Sequence, residues 1–186
     1  MSTTRPESDL ISVLTEAHRE LETLLQELET TTTSPEHRRQ LADHVITEFV
    51  GHAVAEERYL HPAVREYVPD GDRIVKDELA AHAEAEQAMS ELENMSPADA
   101  QFELLVKKLI IDAREHVQHA GTGLLAELEQ SCPEAERAEL GAKIVETRRH
   151  APGRPHPAEV ERKSGKLILD PGTPLVSTVR AALTEN

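Results

Sequence analysis

His52 and His82 are each followed four residues later by a glutamate, Glu56 and Glu86. Residues four apart on a helix lie about 40° apart around the axis and one turn apart along it. An imidazole and a carboxylate at that spacing therefore point at the same spot. His18 and His116 lie on two further helical stretches. Gathered from four antiparallel helices, these six side chains would form a mixed nitrogen and oxygen donor set inside a bundle. That chemistry suits iron or manganese better than a thiolate zinc site.

The apolar spacing turns these residues inward. His18 falls in the stripe Leu10, Leu14, Leu21, Leu25 and Leu28, at steps of three and four. His52 and Glu56 share a face with Leu41, Val45, Phe49 and Tyr59, and His82 and Glu86 with Ile74, Leu79, Ala85 and Met89. His116 follows Leu105, Leu109 and Ala113. A carboxylate on such a face is costly unless it is paired or metal-bound. His61 reads as local structure before Pro62, Glu57 and Glu84 as solvated, and His37, His44, His150 and His156 as surface or linker residues.

The helices that would carry these groups are marked by caps and breaks. The first starts near Ser8 and fades at Thr30 to Thr33, and Ser34-Pro35 starts the second, which runs to about Leu60 before His61-Pro62 bends or breaks it. Asp70-Gly71 turns the chain and Asp72 caps a third helix reaching Asn94. Ser96-Pro97-Ala98-Asp99 starts a fourth that extends to Gln130, and Ser131-Cys132-Pro133-Glu134 opens a shorter fifth ending near His150. The expected fold is all-α: an up-down-up-down four-helix bundle with a short fifth helix over residues 1–150. Residues 151–164 form a Pro-rich linker, whose stretch from Ala151 to Pro157 cannot be helical. Residues 165–186 carry Leu167, Ile168, Leu169, Leu175, Val176, Val179 and Leu183, too apolar to be left in water, and are expected to dock on the bundle or another chain.

Composition sets the remaining bounds. The 186 residues hold 35 acidic against 20 basic side chains, for a net charge of −15. Such a surface repels phosphate backbones and anionic lipid, so neither nucleic acid nor membrane is an expected partner. With two Phe, two Tyr and no Trp, the core is aliphatic, and the lone Cys132 allows neither an internal disulfide nor a Cys-rich zinc site. No apolar leader or long apolar run is present, and a cytoplasmic location is the expectation.

Several phrases in order carry a resemblance over residues 8 to 150. They are Ala17-His18-Arg19-Glu20, then Gly51-His52-Ala53-Val54-Ala55-Glu56-Glu57 leading to Tyr59-Leu60-His61-Pro62, then Ala81-His82-Ala83-Glu84-Ala85-Glu86, and Arg114-Glu115-His116-Val117. The chain resembles the hemerythrin-like, or HHE cation-binding, family of bacterial proteins. The resemblance implies a non-haem di-iron centre that binds or senses O2, peroxide or nitric oxide. It makes His18, His52, His82 and His116 nitrogen ligands, Glu56 a bridging carboxylate and Glu86 a further ligand.

One departure stands out against that family. Its fourth helix supplies a second bridging acid four or five residues after the histidine, where this chain has Ala120 and Gly121. His119 and Asp112 are candidate substitutes, and weaker or incomplete iron occupancy is expected. Two alternatives therefore stay open: a single-ion site, and a metal-free helical module used for partner contacts. No dedicated catalytic motif accompanies the cluster.

Overall fold

The fold comes from a computed structural model that describes residues 8–159 and 167–185. Asp9 starts helix α1 (Leu10–Thr30) by accepting the Ile11 N–H at 2.9 Å. Ser34 caps α2 (Pro35–Ala55) through the His37 N–H, with Pro35 in the first turn as the sequence predicts. Pro62 does not end this path. A π turn at Glu56–Leu60 leads into α3 (His61–Tyr67), the wider turn easing the chain past a proline that has no N–H to donate.

Three expected boundaries are corrected. Asp70, not Asp72, holds the cap position of α4 (Gly71–Glu93), in a left-handed conformation at φ 56°. Ser96 and Asp99 do not open a helix at once. Their side chains take the Ala98 and Gln101 N–H groups locally, and α5 (Phe102–His119) begins later. The expected run to Gln130 breaks at a second π turn, Ala120–Leu124, before α6 (Leu125–Ser131). Two glycines in that turn, Gly121 and Gly123, weaken the helix there. The fifth helix expected from sequence appears as α7 (Glu134–His150), and α8 (Leu175–Thr184) lies near the C-terminus.

Along α1, α2, α4 and α5 and the turns that follow α2 and α5, the buried apolar residues fall into two clusters with polar residues between them. One apolar cluster holds Leu21, Leu25 and Leu28 of α1, residues from Leu41 to Val54 of α2, Ala85, Met89 and Leu92 of α4, and Val106 to Ala113 of α5. The other holds Leu10, Ile11, Val13 and Leu14 of α1, Ala55 at the end of α2 and Leu60 beyond it, Val75 of α4, and Leu124, Leu125 and Leu128 past α5. His18, His52, Glu56, Glu78, His82 and His116 are buried between the two. Each helix, with the turn that follows it, thus contributes to both clusters.

The segments beyond α7 are apolar where they meet this frame. Ala151 is buried, and Gly153 bridges the chain at Leu167 and Leu169 through bonds of 2.9 and 3.0 Å. Leu175, Val176, Val179 and Leu183 of α8 join the first apolar cluster, against α2 and α4. Part of the expected linker and the start of the expected tail fall on residues 160–166, outside the described residues. Among the described residues, no helix is long and apolar enough to cross a membrane.

The turn between α3 and α4 depends on the absence of a side chain. A Cβ at Gly71 would lie 2.2 Å from the Val64 carbonyl oxygen, a backbone atom that cannot step aside cheaply. Gly71→Ala is expected to cost about 3 kcal/mol, lowering the melting temperature by roughly 6–12 °C in a thermal unfolding scan. An unchanged melting temperature would show that the two helices separate freely.

Candidate metal centre

The centre lies where the four crossing helices pass between the two apolar clusters. Helical spacing puts His18 midway along α1, His52 in the last turn of α2, His82 midway along α4 and His116 in the last turn of α5. Glu56 opens the π turn that follows α2, a bulge of the kind often found beside functional residues. All five are at most 5 % exposed.

Their ring nitrogens converge. His52 Nε2 is 3.1 Å from His18 Nε2 and 3.3 Å from His116 Nε2. Glu56 reaches all four rings: Oε1 lies 3.4 Å from His18 Nε2 and 3.2 Å from His52 Nε2, and Oε2 lies 3.5 Å from His82 Nε2 and 3.3 Å from His116 Nε2. Ligand atoms about 2.1 Å from a common ion stand about 3.0 to 3.4 Å apart on octahedral or tetrahedral edges. The observed separations fall in or close to that range. Two overlapping groups have ligand atoms within 4.8 Å of one another: His18, His52, Glu56 and His116, and Glu78, His82 and His116.

Glu86, expected from sequence to be a ligand, is in neither group. Its carboxylate is bound by Arg180 instead. The acid that does join is Glu78, which sits four residues before His82 rather than four after it. Measured around α4 at 100° per residue, Glu78 lies about 40° from His82 on the side of Ala85 and Met89, whereas Glu86 lies about 40° to the other side, beside Leu79. Ala85 and Met89 are buried and Leu79 is 37 % exposed, so the buried arc includes Glu78 and stops short of Glu86.

The remaining candidates take outer places. His119 is exposed, with Nδ1 2.7 Å from Glu78 Oε1. Asp112 pairs with Lys108 at 2.6 Å. Ala120 is buried at the start of the second π turn. Glu57, expected to be solvated, is half-buried and accepts from His82 Nδ1 at 3.1 Å. His61, read from sequence as local structure, is 2 % exposed and stacks on His82, with ring centroids 5.7 Å apart.

The electrostatics favour an anionic Glu56. Burial pushes its carboxyl upward, but His52, His116 and His18 beside it outweigh that and hold it well below the usual range. Burial lowers His52 to about 4, which keeps that ring neutral and its lone pair free. His116 is buried too, yet Glu56 and Glu78 raise it to about 10. Glu56 Oε1, His82 Nε2, His52 Nδ1 and His116 Nδ1 are buried without a hydrogen-bond partner. Unpaired buried groups of this kind are costly, and a cation bound between them would satisfy those that face the centre. The donor set therefore fits a resident metal.

One edge of the centre is reachable from outside. A cleft of ≈ 590 Å³ between α4 and α5 is lined by Glu78 and His116, and by the acidic groups Asp77, Glu84, Asp112 and Glu115. On the other side, the Phe49 ring stands 5.6 Å from His116 and 6.2 Å from His82 and walls off the apolar cluster.

Comparison with known families agrees with this geometry. The family model described as Hemerythrin HHE cation binding domain matches residues 9–128, which span α1 through most of α6. No curated protein and no solved structure matches the chain significantly.

Proposed function

Since the chain belongs to the hemerythrin HHE cation-binding domain family, we propose that it is a cytoplasmic non-haem iron protein that binds or senses O2, peroxide or nitric oxide. In this reading α1, α2, α4 and α5 form an up-down-up-down bundle completed by α7 over residues 1–150. Residues 151–164 connect it to a C-terminal segment, 165–186, that docks through α8. The metal ligands are His18, His52, Glu56, Glu78, His82 and His116. The observation that carries the proposal is the buried polar layer, whose ring nitrogens and Glu56 oxygens are separated by 3.1 to 3.5 Å.

Each ligand has a distinct part in this reading. Glu56 is central, within 3.5 Å of the His18, His52, His82 and His116 rings, and would supply negative charge to bound metal. Glu78 supplies the second acid from α4, which is why Ala120 and Gly121 need not supply it from α5. Glu57 accepts the Nδ1 proton of His82, leaving Nε2 with its lone pair towards the interior. The acidic cleft attracts a divalent cation from solvent and leads it to Glu78 and His116. Iron bound here would supply redox chemistry and a position open to a small diatomic or peroxide ligand.

A single-ion reading also has an observation in its favour, because His18, His52, Glu56 and His116 form a complete four-ligand group by themselves. The ferrous protein, exposed in turn to O2, hydrogen peroxide and nitric oxide, tests the ligand class. Absorption changes that need both iron and the added ligand are expected. Identical spectra with and without each ligand would remove small-ligand binding from the account.

A further inference from the structure

Helix α8 lies outside residues 9–128, the part of the chain matched by the family, yet its Arg180 contacts Glu57, the outer partner of His82. Its apolar stripe of Leu175, Val176, Val179 and Leu183 is buried, and two polar anchors set its register. At its start, Glu93 Oε2 of α4 accepts the N–H groups of Leu175 at 2.6 Å and Val176 at 3.1 Å. A carboxylate there satisfies unpaired donors and faces the positive end of the helix dipole. At its end, Arg58 donates to the Leu183 carbonyl.

Between these anchors Arg180 is held over two carboxylates. Its Nη1 and Nη2 take both oxygens of Glu57, at 2.7 and 2.9 Å, and its Nε is 3.0 Å from Glu86. Glu57 Oε1, one of the oxygens so held, is also the acceptor for His82 Nδ1. The two-point contact fixes the plane of the Glu57 carboxylate, and with it the direction in which that oxygen is offered to His82. Without the guanidinium, Glu57 and Glu86 would face each other as like charges, and Glu57 would turn towards solvent.

We infer that Arg180 is a positioning residue of the metal centre, acting through Glu57 on His82, so that docking of α8 and binding of the metal reinforce each other. The inference rests on the proposed metal-binding role of His82. Outer partners of metal-bound histidines set ring orientation and basicity, and their loss weakens metal affinity by about 10- to 100-fold. Coupling of this kind is reciprocal: whatever α8 adds to metal affinity, the metal adds to the stability of the docked helix.

The test uses the full chain loaded with ferrous iron, with wild type, Arg180→Met, Arg180→Lys, Glu57→Gln and the Arg180→Met/Glu57→Gln double variant. Iron affinity is read by competition with a ferrous chelator, the absorption spectrum reports on His82, and hydrogen exchange over residues 175–184 reports on α8. Arg180→Met is expected to lower iron affinity about tenfold and shift the spectrum in the same direction as Glu57→Gln. The double variant should be no worse than Glu57→Gln alone, because both changes break one chain of contacts. Arg180→Lys should recover only part of the affinity, lacking the two-point contact. Iron should slow exchange across α8 in wild type and not in Glu57→Gln. A loosened α8 with wild-type affinity and spectrum in Arg180→Met would overturn the inference and leave Arg180 a structural residue. If Arg180→Met fails to fold, a Glu57→Gln variant with wild-type affinity and spectrum overturns it equally. Wild type that binds no iron overturns instead the metal reading beneath it.

Discussion

Glu56→Gln is expected to remove tight iron binding, raising the dissociation constant by more than about 100-fold, beyond the range for outer-shell partners. Glutamine keeps the shape of the side chain and removes its charge. Glu56 lies within 3.5 Å of the rings of His18, His52, His82 and His116, so losing its charge affects all four at once. The metal-free variant should also be less stable than the metal-free parent by about 3 kcal/mol, since an acid gathered among histidines leaves its partners uncompensated when it goes. Elemental analysis after desalting gives the first effect and a thermal melt of the chelator-treated proteins gives the second. Iron content equal to wild type would place the metal somewhere other than this layer.

Glu78 and Glu86 should behave oppositely, and the difference is large. Glu78→Gln deprives the group of Glu78, His82 and His116 of its only acid. Retained iron is expected to fall from about two ions per chain to about one, the His18, His52, Glu56 and His116 group keeping its own. Glu86→Gln removes one arm of the Arg180 contact and leaves every proposed ligand in place, so iron content should hold. The reverse outcome, iron lost with Glu86 and kept without Glu78, would restore the ligand that sequence spacing favoured.

The four histidines and Glu56 were legible in the sequence because each lies on an apolar stripe whose period is unambiguous. Helix starts with both a capping side chain and a first-turn proline, such as Ser34-Pro35, were legible for the same local reason. Glu78 was not, although the signal exists. His82 has a glutamate four residues away on both sides, and the choice depends on where the buried arc of α4 is centred. That is a tertiary fact. The π turns after Glu56 and His119 are likewise set by what the neighbouring helices require. The pairing of Glu57 with Arg180 spans 123 residues, and no local pattern announces it.

The missing acid on α5 has a physical reading in the same terms. What a metal centre requires is a carboxylate at a point in space, and four helices converge there. Ala120 is buried just past α5, while Glu78, buried on α4, brings one carboxylate oxygen to His116 Nδ1 at 3.4 Å. His119, rather than binding at the centre itself, contacts the other oxygen of Glu78 at 2.7 Å and steadies it from the surface.

Iron retention by the wild-type chain tests the account most directly. The protein would be stripped with chelator, loaded anaerobically with excess ferrous iron, desalted and measured for iron and protein. About two irons per chain, retained through desalting and accompanied by a higher melting temperature, is the predicted result. A folded chain that retains no iron and melts at the same temperature with and without it would contradict the account.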